Sequence, residues 1–239
     1  MGKAWKRWAS ALLLSLLLGL LLPLPRWGGT AETFTRMPDQ TLILDPGHGG
    51  EDGGAVSVSG LPESGINLSI ALELDQLMGF FGVHTVLTRT KDVSIHDSGA
   101  GSLREKKVSD LHNRVALING TPGATLISIH QNSVPDGRCH GAHVFYGDEV
   151  LSRPLAQAIQ NRIREALDPE NRREAQRAAE SIYLMNHISC RAVLVECGFL
   201  SNPREERLLR DPAYQKKLAM ILAASYLVQG DTQEGESLI

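Results

Sequence analysis

The sequence is poor in cysteine, with only Cys139, Cys190 and Cys197 among its 239 residues. Cys190 and Cys197 flank or occupy one extended run, and residues that far apart along a strand cannot be joined by a disulfide bond. The sequence also has no Cys-x-x-Cys or Cys/His spacing of a cysteine zinc site. The cysteine content therefore excludes a disulfide framework, and we expect three small, buried, apolar thiols.

Positive charge is scarce beyond the beginning of the chain. The first 31 residues contain four basic residues and no acidic one, so the remainder holds 20 basic and 27 acidic residues, a formal charge of −7. A domain with this negative charge is not suited to binding the phosphate backbone of nucleic acid, so we exclude nucleic acid as a partner. At 239 residues the chain is long enough for one hydrophobic core, and it has no internal repeat or low-complexity tract, so we expect a single folded domain.

The beginning of the chain has the pattern of an export signal. Three basic residues precede an apolar run over residues 8–22, which two prolines follow. We therefore expect residues 1–31 to be a signal peptide or an N-terminal membrane anchor, followed by a linker over residues 32–40. Small residues at positions 29–31 favour cleavage, whereas Trp8 and Trp27 are placed to mark the interfaces of a short anchor, so both alternatives stay open.

Apolar runs alternate with helical periodicity along the rest of the chain. This alternation predicts an α/β fold, a three-layer sandwich with a mainly parallel central sheet and helices on both faces. The domain is expected to span residues 41–230, with a long polar loop from Thr90 to Lys107 and a disordered tail over residues 231–239. The predicted strands cover residues 42–45, 84–89, 124–130, 142–146 and 192–199, and the predicted helices cover residues 66–81, 108–118, 151–167 and 218–226.

Two histidines and two glutamates lie at or near the ends of these elements. His48 follows the first strand in a glycine-rich loop, and Glu63 stands at the start of a helix. His130 ends one strand, and Glu196 interrupts the apolar run of another. In an open parallel sheet the ligand site lies beyond the carboxyl ends of the strands. Imidazoles and carboxylates gathered there are what a zinc hydrolase needs.

Several of these acids and histidines also have simpler interpretations. An acid in the first turn of a helix, such as Glu63, commonly interacts with the helix dipole. Glu51 and Asp52 lie nearer to His48 in the sequence and compete for the role of ligand, although we interpret them as loop acids. We do not expect His140 and His143 to act as a ligand pair, because three residues apart on an extended run they point to opposite faces.

The motifs in combination resemble those of a known family. The segments DPGHGGEDGGA, SIHQN and VECGFLSN, with Glu63 between the first two, are similar to the zinc-dependent N-acetylmuramoyl-L-alanine amidases of the third amidase family. The resemblance covers residues 41–229. It implies one Zn²⁺ held by His48, Glu63 and His130, with Glu196 as the catalytic acid. The substrate would be the amide that joins the lactyl group of N-acetylmuramic acid to L-alanine in peptidoglycan.

Two longer segments resemble one branch of the family more closely. LREKKVSDLHNRVALIN and SIYLMNHISCRAVLVECGFLSN are similar to the germination-specific amidases that prepare spore cortex for muramic-lactam formation. The long helical insert of some division amidases has no room between Tyr146 and Arg191, and appended wall-binding repeats are absent. Gln131 departs from the commoner SIHAN motif, and Cys197 replaces what is usually a hydrophobic residue. An activating protein partner is possible but is not identified by the sequence.

Amide hydrolysis needs a Lewis acid and a group that moves protons. Strand alternation places Glu196 on the face opposite Val195 and Cys197, so it is the candidate for taking a proton from water and passing it to the amine. Arg89 and Arg114 are candidates for pairing with carboxylates of the peptide stem, with structural ion pairing as the alternative. A zinc peptidase acting on the stem peptide and a non-catalytic wall-binding protein stay open as alternatives to an exported, membrane- or wall-associated amidase.

Overall fold

The structure, a computed structural model, describes residues 40–236, and side chains to residue 229. The expected signal peptide or anchor, with nearly all of the linker, lies outside these residues. Within the described part, no helix has the length and apolar character required to cross a membrane.

The described chain alternates strands and helices, as the periodicity predicts. The strands are β1 (Thr41–Pro46), β2 (Thr85–Leu87), β3 (Ala124–Asn132), β4 (His143–Tyr146), β5 (Gln176–Arg177) and β6 (Arg191–Phe199). The helices are α1 (Glu63–Phe80), α2 (Leu103–Asn119), α3 (Arg153–Leu167), α4 (Tyr183–Asn186), α5 (Pro203–Arg210) and α6 (Pro212–Glu236).

The strands form one sheet in the order β2-β1-β3-β6-β4-β5. All neighbouring strands pair in parallel except β4 and β6, which are antiparallel. One face packs on α1, α3 and α6, and the other face packs on α2 and α4. The side chains of β6 alternate between these two cores, with Val195 and Cys197 in the first and Leu194 in the second. The predicted α/β fold with a mainly parallel sheet is confirmed.

Helix α2 begins earlier than its apolar periodicity indicates. The prediction placed the helix from residue 108, but the structure starts it at Leu103 and ends the polar loop at Ser102. Ser102 Oγ accepts from the N–H of Glu105, and the Glu105 carboxylate accepts from the N–H of Ser102, which together form a capping box. The first turn lies on the surface and is largely polar, so the periodicity could not reveal it.

The last helix also reaches beyond the expected boundary. Its backbone continues to Glu236, past residue 230, where the sequence was expected to become disordered. Residues 237–239 lie outside the described part of the chain. The domain boundary at residue 230 therefore stays a prediction.

The three cysteines are free, but only one is buried as expected. Cys197 is buried in the core between the sheet and α1, α3 and α6. Cys139 and Cys190 are only partly buried. The expectation of three buried thiols was wrong for these two, because Cys139 lies in the loop before β4 and Cys190 immediately precedes β6.

Candidate metal centre

The fold brings His48, Glu63 and His130 together at the carboxyl edge of the sheet. His48 lies two residues beyond β1, His130 lies near the end of β3, and Glu63 is the first residue of α1. One ligand atom from each of the three lies within 4.8 Å of the others. The ring centroids of the two histidines are 5.0 Å apart, with the ring planes nearly perpendicular. Three side chains that are distant in the sequence thus converge on one point.

Glu63 is buried and is held by donors on both of its carboxylate oxygens. Oε1 accepts from the N–H of Ala55 at 2.7 Å and lies 3.1 Å from His48 Nε2. Oε2 accepts from the N–H of Gln131 at 2.7 Å and lies 3.6 Å from His130 Nδ1. Burial opposes its ionisation, but hydrogen bonds and charge from the two histidines hold the pKa of Glu63 well below its usual range. The main contacts of the Glu63 carboxylate are therefore with the two histidines and the two backbone N–H groups. The helix dipole is not its main interaction.

Glycines allow the backbone to approach these side chains closely. A Cβ at Gly47 would lie 2.1 Å from Cε1 of the His130 ring, and one at Gly54 would lie 2.3 Å from Glu63 Oε1. His48 itself has φ of 61° and is the one non-glycine residue with positive φ in the described chain. Such a conformation is costly for a residue with a side chain and persists only where its surroundings impose it. The loop is therefore shaped around the cluster.

Two buried arginines hold the backbone of this loop. Arg114 pairs with Asp45 and Asp110, and its Nη2 donates to the carbonyl of His48 at 2.8 Å. Arg89 donates from Nε to the carbonyl of Pro46 at 2.9 Å and from Nη2 to that of Gly47 at 2.9 Å. Both guanidinium groups are buried, and their N–H groups donate to these carboxylates and carbonyls. Structural ion pairing is therefore what the structure shows for Arg114, whereas Arg89 mainly binds backbone carbonyls, with Asp92 4.0 Å from its Nη1.

Glu196 lies beside the cluster on the neighbouring strand. Its Cα is in register with that of His130, and its Oε2 is buried without a hydrogen-bond partner. Burial raises the pKa of Glu196 to about 6, with the charge of Glu63 adding to the shift and that of His130 opposing it. A carboxyl group with such a pKa exchanges protons readily near neutral pH. Its position agrees with the alternation predicted from the sequence.

The other candidate residues have different partners. Glu51 is exposed and pairs with Lys106, whereas Asp52 contacts the ring of His48 at 2.9 Å. His140 contacts Asp168, and His143 contacts the backbone carbonyl of Glu174. The contact of Asp52 with His48 goes beyond the loop acid expected from the sequence, because a glycine-rich loop has no periodicity from which side-chain directions can be read.

The residues present fit a zinc ion. Two imidazoles and one carboxylate are the set of three protein ligands typical of catalytic zinc, which leaves one coordination position open. The unpaired Oε2 of Glu196 adds a buried acceptor next to that set. A cleft of about 290 Å³ is lined by the two histidines together with Asp52, Lys107 and Tyr183. A substrate can therefore reach the cluster.

Comparison with known proteins assigns residues 42–225 to the N-acetylmuramoyl-L-alanine amidase family. The germination-specific N-acetylmuramoyl-L-alanine amidase of Bacillus subtilis is 37% identical over 179 residues, which cover 74% of this chain and 74% of that protein. The probable cell wall amidase LytH of Staphylococcus epidermidis is 28% identical over 179 residues, and the match covers 74% of this chain but 54% of LytH.

A solved structure has the same fold. The CwlD amidase from Clostridioides difficile, whose structure was solved in complex with the GerS lipoprotein, matches with a TM-score of 0.78 and 34% sequence identity. The match covers 81% of this chain and 100% of the CwlD chain. The similarity therefore extends over the whole CwlD chain of that structure.

Proposed function

Because the chain belongs to the family of N-acetylmuramoyl-L-alanine amidases, we propose that it binds one zinc ion through His48, Glu63 and His130. Glu196 then transfers protons during hydrolysis of the amide between N-acetylmuramic acid and L-alanine. The observation that carries this proposal is the convergence of the three side chains within 4.8 Å, next to the buried, unpaired oxygen of Glu196. Unrelated structural roles for these four residues would not require them to lie together beside the cleft that His48 and His130 line.

The protein residues divide the chemistry between them. Zinc bound at this site supplies Lewis-acid polarisation of the amide carbonyl and lowers the pKa of water. Glu63 keeps its orientation because backbone N–H groups of Ala55 and Gln131 donate to it. Glu196 accepts a proton from the attacking water at Oε2 and delivers it to the nitrogen of L-alanine as the C–N bond breaks. Its Oε2 is buried and has no other hydrogen-bond partner, which suits both halves of that transfer.

We propose spore cortex as the peptidoglycan on which the enzyme acts. The similarity to the germination-specific amidase and to CwlD supports this choice. The stretch between Tyr146 and Arg191 supports it as well, because α3, β5 and α4 occupy it and leave no long insert over the cleft. Export through residues 1–31, with cleavage or anchoring, belongs to the same proposal. The complex of CwlD with a lipoprotein supports a protein partner for this chain too.

Mass spectrometry of digested peptidoglycan tests the proposal. Zinc-loaded protein should release stem peptides that begin with free L-alanine and should leave muramic acid without a stem, faster from cortex than from vegetative wall. Glu196→Gln protein in parallel controls for contaminating hydrolases. Cleavage within the stem would indicate the zinc peptidase, and binding without any cleavage would indicate the wall-binding alternative. Equal rates on the two substrates would contradict the proposed cortex role but not the proposed amidase activity.

A further inference from the structure

Two consecutive lysines of α2 contact two consecutive acids of the glycine-rich loop. Lys106 Nζ lies 2.7 Å from Glu51 Oε1, and Lys107 Nζ lies 2.7 Å from Asp52 Oδ1. The two ion pairs are matched in length and join the same helix to the same loop. Their acids differ, because Glu51 is exposed and pairs with its lysine, whereas Asp52 is partly buried and also contacts the ring of His48.

Asp52 contacts the nitrogen of His48 that faces away from Glu63. Its Oδ1 accepts from Lys107 and, at 3.3 Å, from the N–H of Gly54, while its Oδ2 lies 2.9 Å from His48 Nδ1. A carboxylate that pairs with an ammonium group only accepts hydrogen bonds, so Nδ1 is the donor. The opposite nitrogen, Nε2, faces Glu63 Oε1 at 3.1 Å and is the atom left for a metal.

The ring of His48 depends on Asp52 more than its backbone does. Arg114 fixes the backbone carbonyl of His48 from the helix behind it. The ring is partly exposed, and the only hydrogen-bonding groups that the structure describes at its two nitrogens are Asp52 at Nδ1 and Glu63 at Nε2. If Glu63 and Nε2 are both committed to a metal, Asp52 is the one hydrogen-bonding group among the described residues that remains to orient the ring. Such outer contacts orient a ligating imidazole and increase its basicity.

We propose that Asp52 is a positioning residue of the metal centre: it orients His48 through Nδ1, and Lys107 holds Asp52 in place. This inference rests on the proposed zinc site. It assigns to α2 a function beyond packing, because the helix fixes a metal ligand through a lysine, an aspartate and an imidazole in series. It also distinguishes Asp52 from its neighbour Glu51, which has the same kind of lysine partner and no ligand to orient.

Zinc affinity, measured by competition with a chromogenic chelator, tests the inference without reference to activity. Asp52→Ala should bind zinc about 10- to 100-fold more weakly than the wild type, because the ring loses its orienting partner. Lys107→Met should weaken binding in the same direction but less. Asp52→Asn should recover part of the affinity, since the amide oxygen still accepts from Nδ1. Glu51→Ala is the matched control and should stay within about 2-fold of wild type, because the ion pair of Glu51 with Lys106 does not contact His48.

The possible outcomes separate this inference from the function on which it rests. Wild-type affinity in a folded Asp52→Ala protein overturns the inference, and so does equal weakening by Glu51→Ala, which would indicate general loosening of the loop. Thermal unfolding of each variant checks folding, and if Asp52→Ala does not fold, Asp52→Asn and Lys107→Met decide by the same comparison. A wild-type chain that binds no zinc contradicts the proposed metal site itself, and the inference with it.

Discussion

A His130→Ala protein is expected to lose zinc and amidase activity together. The substitution removes one of three proposed ligands and leaves Glu63 and His48 as an incomplete set. Catalytic zinc is held by three protein groups, so two are insufficient for stable occupancy at micromolar metal. Metal content by atomic absorption, and release of L-alanine-terminated stems from peptidoglycan, measure the two effects. The Glu63 carboxylate also loses a neighbouring imidazole, so refolding to the native state should be checked by circular dichroism.

His143→Ala is the matched control for this loss. His143 lies on β4, in register with Glu196, but its ring contacts the carbonyl of Glu174. A histidine of the same sheet edge is thus removed without touching the cluster, and zinc content should stay at one per chain. Zinc retained by His130→Ala, or lost from His143→Ala, would contradict the ligand set.

Glu196→Gln should separate metal binding from proton transfer. Glutamine keeps the size of the side chain and the packing of β6, but it cannot accept and return a proton. The variant should therefore bind one zinc while amide hydrolysis falls by roughly 100-fold or more, equivalent to about 2.7 kcal/mol of transition-state stabilisation. Loss of zinc from this variant would indicate that Glu196 is a zinc ligand. Hydrolysis at the wild-type rate would contradict its assignment as the proton-transfer group.

The neighbouring residue on the same strand provides a control for β6. Cys197 points into the core on the opposite face and does not reach the cluster. Cys197→Ala should leave turnover within a few-fold of wild type and cost on the order of 1 kcal/mol of unfolding free energy, measured by urea denaturation. Complete inactivation of folded, zinc-loaded Cys197→Ala would instead assign chemistry to the thiol.

The sheet edge at which His48, His130 and Glu196 lie was predictable because strand geometry determines it. Alternation along β6 puts Glu196 on the face opposite Cys197, and parallel pairing brings the end of β3 beside the loop after β1. The sequence therefore located His48, His130 and Glu196 at one edge before their distances were known. Which roles they perform came from the family resemblance.

The contacts that support these residues were not predictable, since they lie in irregular backbone. Arg89 and Arg114 are buried because the carbonyls of Pro46, Gly47 and His48 need donors where β1 ends. An arginine that is buried to donate to backbone carbonyls produces no periodic pattern in the sequence. The contact of Asp52 with His48 likewise depends on glycine conformations at residues 49, 50 and 54, which sequence spacing does not specify.

Titration of zinc into metal-stripped wild-type protein tests the central claim most directly. Peptidoglycan is the substrate, and new amino termini are labelled and identified as the metal is added. Activity should be absent after chelation, rise in proportion to added zinc, and reach its plateau at one equivalent per chain, with L-alanine as the new amino terminus. Full activity in the stripped protein, or new amino termini other than L-alanine, would contradict a zinc-dependent N-acetylmuramoyl-L-alanine amidase.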